Sequence, residues 1–292
     1  MKTIALVNAR SGSAGENARA RVAKALASAG IDAKVELITG GDLCVRCKAI
    51  ARRGDPMLIV GGGDGTIGSA ASALVGTTTA IGILPLGTLN HFARDLGIPA
   101  DLEEAARIIA ARREQSVDVG EMNGRIFINN SAIGLYPLMV LDRDLQRRRS
   151  GRSKRLGMVV ASLRTLARFG HQRLTLTVND QKARVDTPLL FVGNNDYRIE
   201  LPAVGQRRSI DGGELCVMVM RKKTRWGFIA AALRALFNRS RPDDMVRLDG
   251  VKQLRVESSH RQIAVSLDGE IVPAAPPLDY KVRNKALRVI AP

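Results

Sequence analysis

The chain has 292 residues, 45% of them hydrophobic and only 3% aromatic, with a formal net charge of +17. That length exceeds what one hydrophobic core usually organises, so two domains are expected, and the charge favours an anionic membrane surface or phosphorylated substrates as partners. No stretch nears the roughly 20 apolar residues that span a bilayer, no aromatics interleave with the arginines as a nucleic-acid stacking surface requires, and three cysteines make no disulfide framework.

The opening Met1-Lys2-Thr3-Ile4-Ala5-Leu6-Val7 lacks the length and cleavage site of a signal peptide, so a cytoplasmic protein is expected, and its basic charge suits it to be peripherally membrane-associated. From there strand and helix patterns alternate, the signature of a parallel sheet flanked by helices. Strand Ile4–Val7 precedes a helix over Glu16–Ala29 that Gly30 stops. Strand Lys34–Ile38, helix Asp42–Arg53, strand Met57–Val60 and helix Ile67–Val75 follow, then strand Ala80–Leu84 and helix His91–Leu96. Asp101 and Glu104 give a capping-box-like start to a helix over Leu102–Arg112.

Past residue 120 the texture becomes short strands: Arg125–Ala132, Leu174–Val178, Ala183–Asp186, Leu189–Gly193, Leu215–Met220, Leu254–Glu257, Ile263–Leu267, Tyr280–Arg283 and Ala286–Ile290. Asn179-Asp180 and Asp268-Gly269 supply hairpin turns. Two helical inserts interrupt them, one from Leu138–Leu145 toward Arg168 and one over Trp226–Phe237. The expected architecture is an α/β domain over 1–120 and a β-rich, sandwich-like domain over 121–292, with the last strands able to pack back on the first.

The chemistry concentrates where strands end. Leu58-Ile59-Val60 runs straight into Gly61-Gly62-Gly63-Asp64-Gly65-Thr66. Glycines let backbone N–H groups approach an anion, and a following helix start favours a phosphate. Asp64 would repel that phosphate unless a metal or a transferable proton intervenes. The chain has no G-x-x-x-x-G-K-[ST] loop. Gly63-Asp64-Gly65-Thr66-Ile67-Gly68 has dinucleotide spacing, but no acid follows about 20 positions on to hold a ribose. Two more loops leave strand ends: Asn8-Ala9-Arg10-Ser11-Gly12 after the first, and Pro85-Leu86-Gly87-Thr88-Leu89-Asn90-His91 after the fourth. In a parallel sheet all three can share one crevice. Cys44-x-x-Cys47 has no second pair and reads as ordinary helix residues, and His91, His171 and His260 are scattered.

With GGGDGT, PLGTLNHFARDLGIP and VNARSGSAG together, the sequence resembles the catalytic domain of the diacylglycerol kinase family, nearest its bacterial, sphingosine kinase-like lipid kinases. The resemblance runs through the late Ser266-Leu267-Asp268-Gly269-Glu270 segment. It implies a doubly wound nucleotide domain like that of NAD kinases, a β-rich domain, and ATP-dependent phosphorylation of a lipid hydroxyl with Mg²⁺. By the resemblance ATP would be held by Asn8, Ala9, Arg10, Ser11 and Gly12, by Thr39, by Gly62, Gly63, Asp64, Gly65, Thr66, Ile67 and Gly68, and by Thr88 and Asn90. Asp64 would act with the nucleotide-bound Mg²⁺, Glu270 would take the proton with Asp268 beside it, and Asp118 would be a further family acid. A structural Mg²⁺ loop is also implied at Asp211, where the usual second acid is Gly212. Ala9, Leu89 and His91 stand where the family usually has Pro, Gly and Asp. The basic run Arg143–Arg155 would dock on anionic head groups. Two other readings stay open: a kinase of a soluble hydroxyl, as in NAD kinases, and a catalytically silent lipid- or nucleotide-binding regulator.

Overall fold

A computed structural model describes residues 3–9, 17–134, 170–197, 207–222, 224, 226, 227, 230, 231, 234 and 243–292. Arg10, Ser11, Gly12, the Arg143–Arg155 run, the first helical insert and much of the second lie outside them. The chain divides into two compact units: Met1–Val119 with Ser209–Gly213 and Arg283–Pro292, and Gly120–Arg208 with Glu214–Val282.

The first unit is a parallel sheet in the order β2-β1-β3-β4. Its strands are β1 (Thr3–Asn8), β2 (Ala33–Ile38), β3 (Met57–Gly62) and β4 (Ala80–Pro85). β3 and β4 are buried at every residue, as continuous apolar strands in the middle of a parallel sheet must be. Helices α1 (Ala18–Ser28), α2 (Gly40–Arg52), α3 (Asp64–Leu74), α4 (His91–Asp95) and α5 (Leu102–Ala111) connect and flank them. The cap read for α5 is present: the Asp101 carboxylate accepts from the N–H groups of Glu103 and Glu104 at 3.0 and 2.9 Å. Gly30, at φ +76, ends α1 as its sequence indicated.

The second unit is antiparallel. One sheet runs β12-β11-β10-β7-β14-β15, from β7 (Asn130–Gly134), β10 (Leu189–Asn194), β11 (Leu215–Met220), β12 (Met245–Val251), β14 (Ile263–Leu267) and β15 (Glu270–Ala274). Facing it, β13 (Gln253–Ser258) pairs on one side with β8 (Gln172–Val178), which forms a hairpin with β9 (Gln181–Thr187). On its other side β13 pairs with the first part of β16 (Leu278–Ile290). The end of β5 (Glu114–Met122), which crosses from the first unit into the second at Gly120, makes a further hairpin with β6 (Arg125–Phe127). Leu190, Val192, Val217 and Val265 from one sheet meet Leu176, Leu254, Val256 and Tyr280 from the other in a single core, which makes the unit a sandwich.

Six elements depart from the sequence reading. The strand expected over Arg125–Ala132 breaks at Ile128 and Asn129, because the Asp268 carboxylate takes their amides. Tyr280–Arg283 and Ala286–Ile290 form one strand, β16, which passes through Lys285 at φ +48. α3 begins at Asp64 rather than near Thr66, since the Gly63 carbonyl already accepts from Thr66 and Ile67 at 2.9 and 3.0 Å. β5, β12 and β15 were not anticipated; β15 carries Pro273, which an edge strand tolerates and a central one does not.

Candidate active site

In the first unit the carboxyl ends of β2, β1, β3 and β4 lie in register: Ile38 beside Asn8, Val7 beside Gly61, Gly62 beside Pro85. The loops that follow are tied together there. Asn8 Nδ2 donates to Thr66 Oγ1 at 2.8 Å, joining the end of β1 to the first turn of α3. A Cβ on Gly62 would lie 2.4 Å from the Thr66 Cβ, so only glycine lets Thr66 turn back over the strand. Gly63 and Gly87 touch backbone to backbone; a Cβ on Gly87 would sit 2.5 Å from the Gly63 Cα. Asn90, in the left-handed region at φ 48, clips its own loop: its Oδ1 accepts from Gly87 N–H at 2.9 Å and its Nδ2 donates to Gly87 O at 3.0 Å.

Asp64 is the first residue of α3, and its Oδ1 accepts from the Phe92 N–H at 3.1 Å. One carboxylate therefore spans the glycine loop and the start of α4. The unpaired amides of a helix's first turn and its dipole favour an anion at this end. Asp64 sits in that field, so a phosphate arriving here needs a cation beside it, and Oδ2 is the atom left to meet one. Thr88 and Gly65 are exposed, whereas Ile67 is buried in the core and its N–H already donates to the Gly63 carbonyl. Thr39 caps α2 without a side-chain bond to its amides; its hydroxyl donates to Asp42 Oδ2 at 2.8 Å. Ala9 continues the β1 ladder, its N–H donating to Ile38 O at 3.2 Å.

Asp118 is also in the first unit, 1% exposed. Its Oδ1 accepts from Lys285 N–H and its Oδ2 from Gly213 N–H, each at 2.7 Å, while its own N–H donates to Ile210 O at 2.9 Å. It thus clamps β5, the 209–213 turn and β16. The structural Mg²⁺ implied for that turn does not suit these donors. Position 212 is glycine, Asp211 Oδ1 accepts from Ser209 Oγ at 2.6 Å, and both Asp118 oxygens hold amides. Mg²⁺ demands near-octahedral oxygen coordination, and among the described residues no three His, Cys, Asp or Glu side chains group to hold an ion. Cys47 is buried in α2 and burial pushes its thiol up to about 12, the state of a packing residue.

In the second unit Asp268 and Gly269, at φ 48 and 83, turn β14 into β15. The Asp268 carboxylate accepts from three successive amides, Ile128 at 2.8 Å, Asn129 at 2.7 Å and Asn130 at 3.1 Å. Burial still pushes this carboxyl up to about 6 against those donors and the nearby Arg207 cation. Glu270, the first residue of β15, is exposed, with its backbone paired to Leu267. The sequence reading did not find the polar set beneath this turn. Asn194 Nδ2 and Arg207 Nη1 both donate to Ile128 O, at 3.0 and 2.7 Å. Asn129 and Asn195 are buried, with side-chain amide atoms that lack a hydrogen-bond partner. The signal available was Gly193-Asn194-Asn195 closing an apolar strand.

Residues 2–122 match the family described as "Diacylglycerol kinase catalytic domain", and residues 142–291 the "YegS C-terminal NAD kinase beta sandwich-like domain". A Klebsiella pneumoniae protein named "Probable lipid kinase YegS-like" is 46% identical over 79 residues, a match spanning 26% of this chain and 27% of that protein. A diacylglycerol kinase of Bacillus subtilis is 25% identical over 255 residues, 86% of this chain and 83% of its own. A solved structure of a diacylglycerol kinase from Bacillus anthracis str. Sterne superposes with a TM-score of 0.70 at 19% identity, covering 100% of this chain and 97% of that one, which shows the shared fold. With the interlocked glycine loops on one unit and the sandwich on the other, the chain belongs to the diacylglycerol kinase-like lipid kinase family with a YegS-type C-terminal domain.

Proposed function

We propose that the chain transfers the γ-phosphoryl group of ATP to a hydroxyl of a diacylglycerol-like or sphingoid lipid at a membrane surface. The observation that carries this reading is the fused glycine cradle: Asn8 to Thr66, Gly63 against Gly87, and Asp64 to Phe92. It is the kind of preformed backbone surface that phosphoryl transfer uses, since that reaction depends on positioning and on charge stabilisation rather than on covalent help from the protein.

In the reaction the lipid hydroxyl oxygen bonds to the γ-phosphorus as the bond to the β–γ bridging oxygen breaks, and ADP leaves with that electron pair. Glu270, exposed at the start of β15, takes the hydroxyl proton on its carboxylate. The amides around Gly62, Gly63 and Gly65 would hold the phosphates, with Thr66 fixed by Asn8. Mg²⁺ bound with the nucleotide supplies charge neutralisation on the phosphates, and Asp64 is the carboxylate suited to it. Asp268 acts through the turn, fixing where β15 and Glu270 begin. Asp118 acts through the fold rather than on the reacting atoms. The charge of +17 supports action at an anionic surface, and no helix among the described residues is long and apolar enough to cross a membrane. Radiolabelled ATP offered with a panel of dispersed lipids, and with NAD as a control acceptor, should label a lipid and leave NAD untouched. Label on NAD alone would turn the reading to the soluble-substrate kinase, and label on nothing to the regulator.

A further inference from the structure

We infer that the segment leaving β11 is a membrane-docking site in which Trp226 seats among the head groups of an anionic bilayer. Trp226 is the chain's single tryptophan and is 80% exposed, although this side chain is on average highly buried in folded proteins. The sequence before it reads Arg221-Lys222-Lys223-Thr224-Arg225, so cations fill four of the five preceding positions.

The exposure has a built base. Arg221 N–H donates to the Asp244 carbonyl at 3.0 Å. The buried Asp244 carboxylate lies 3.4 Å from Lys222 Nζ and accepts from Arg234 Nε at 2.9 Å. Gly227 N–H donates to Thr224 Oγ1 at 3.0 Å and closes the turn that carries the ring. One acid therefore pins the stretch on both sides of Trp226 to the β-rich unit, and the indole is held out in water.

Ring and charge select the same occupant. An indole is at home at head-group level, where its apolar body and its N–H are both served. The basic residues that precede it in the sequence, apart from the Asp244-bound Lys222, are drawn to anionic lipid over about a Debye length. A second copy of this chain brings the same +17 and is repelled. The inference rests on the lipid-kinase reading only for its purpose, which is to bring the enzyme to the plane of its acceptor.

A single tryptophan makes the test direct. Vesicles containing phosphatidylglycerol should shift its emission to shorter wavelength, and brominated acyl chains should quench it. About 1 M salt should reverse both effects, and pure phosphatidylcholine vesicles should produce neither. Trp226→Ala should keep its circular dichroism and its turnover on detergent-dispersed lipid while partitioning to anionic vesicles falls about tenfold. Absence of vesicle binding overturns the inference, as does vesicle binding with unchanged emission. A shift that needs no vesicles and tracks dimer formation in sedimentation velocity overturns it too, and assigns the ring to a second copy. Failure to label any lipid in detergent would strike the kinase reading and leave the docking result standing.

Discussion

At the scale of single residues, the cradle depends on side chains that are absent as much as on those present. Gly87 has no room for a methyl group, because the obstacle at 2.5 Å is the Gly63 Cα, backbone that cannot swing away. Gly87→Ala should therefore push the third loop off the glycine loop and weaken ATP binding more than about tenfold, read by calorimetry, while far-UV circular dichroism stays native. Unchanged affinity would remove this contact from the nucleotide site. Glu270 is the opposite case, an exposed carboxylate with space around it. Glu270→Gln keeps its size and removes the proposed proton acceptor, so turnover should drop on the order of 10²–10⁴ while ATP affinity stays within about twofold. Near-normal turnover of a folded Glu270→Gln enzyme would move the base elsewhere.

Among elements, the decisive contacts are side chains that hold backbone. Asp118 gives each of its oxygens to an amide of a different segment, and Asp268 holds three amides that would otherwise continue a strand. Asp118→Asn replaces one accepting oxygen with a donor and leaves a buried amide unpaired, a cost of about 1–3 kcal/mol. The expected outcome is a melting temperature lowered by several degrees, equally in EDTA and in millimolar Mg²⁺ without nucleotide. A melting temperature that Mg²⁺ raises in the parent protein but not in Asp118→Asn or Asp211→Asn would show a metal in the 209–213 turn after all.

For the molecule as a whole, the chain does not finish where its last domain boundary would suggest. Arg283–Pro292 belongs to the first unit, where Val289 pairs in parallel with Ile81 of β4, and Leu287, Val289 and Ile290 are buried. Gly76 N–H donates to Ala286 O at 2.8 Å and Ala291 N–H to Arg113 O at 3.1 Å. Losing three buried aliphatic side chains removes about 5–9 kcal/mol of burial, as much as a whole domain's net stability. A chain ended after Val282 should thus lose ATP binding and the cooperative melting of its first unit, followed by calorimetry. Retention of both would show that the first unit is complete without its C-terminal strand.

What was legible in the sequence rests on local physics. Buried parallel strands announce themselves as apolar runs such as Leu58–Val60, Asp101 caps a helix through its own amides, and two residues at positive φ make the Asp268-Gly269 turn. The glycines, Asp64 and Thr66 are adjacent on the chain, so the turn from β3 into α3 was legible as a glycine-rich loop. β12 and β15 were missed because an Asp-Gly step and a proline read as breakers until an edge position excuses them. The remaining contacts are long-range and depend on which backbone groups folding leaves without ladder partners. Asp118 meets Lys285, Asp268 meets Ile128, and Asn8 meets Thr66 only because tertiary structure aims a carboxylate or an amide at a backbone or hydroxyl group dozens to hundreds of residues away. Composition fixed the charge and the motifs identified the family, whereas the pairing of buried polar groups, which costs free energy wherever it fails, was settled by the fold alone.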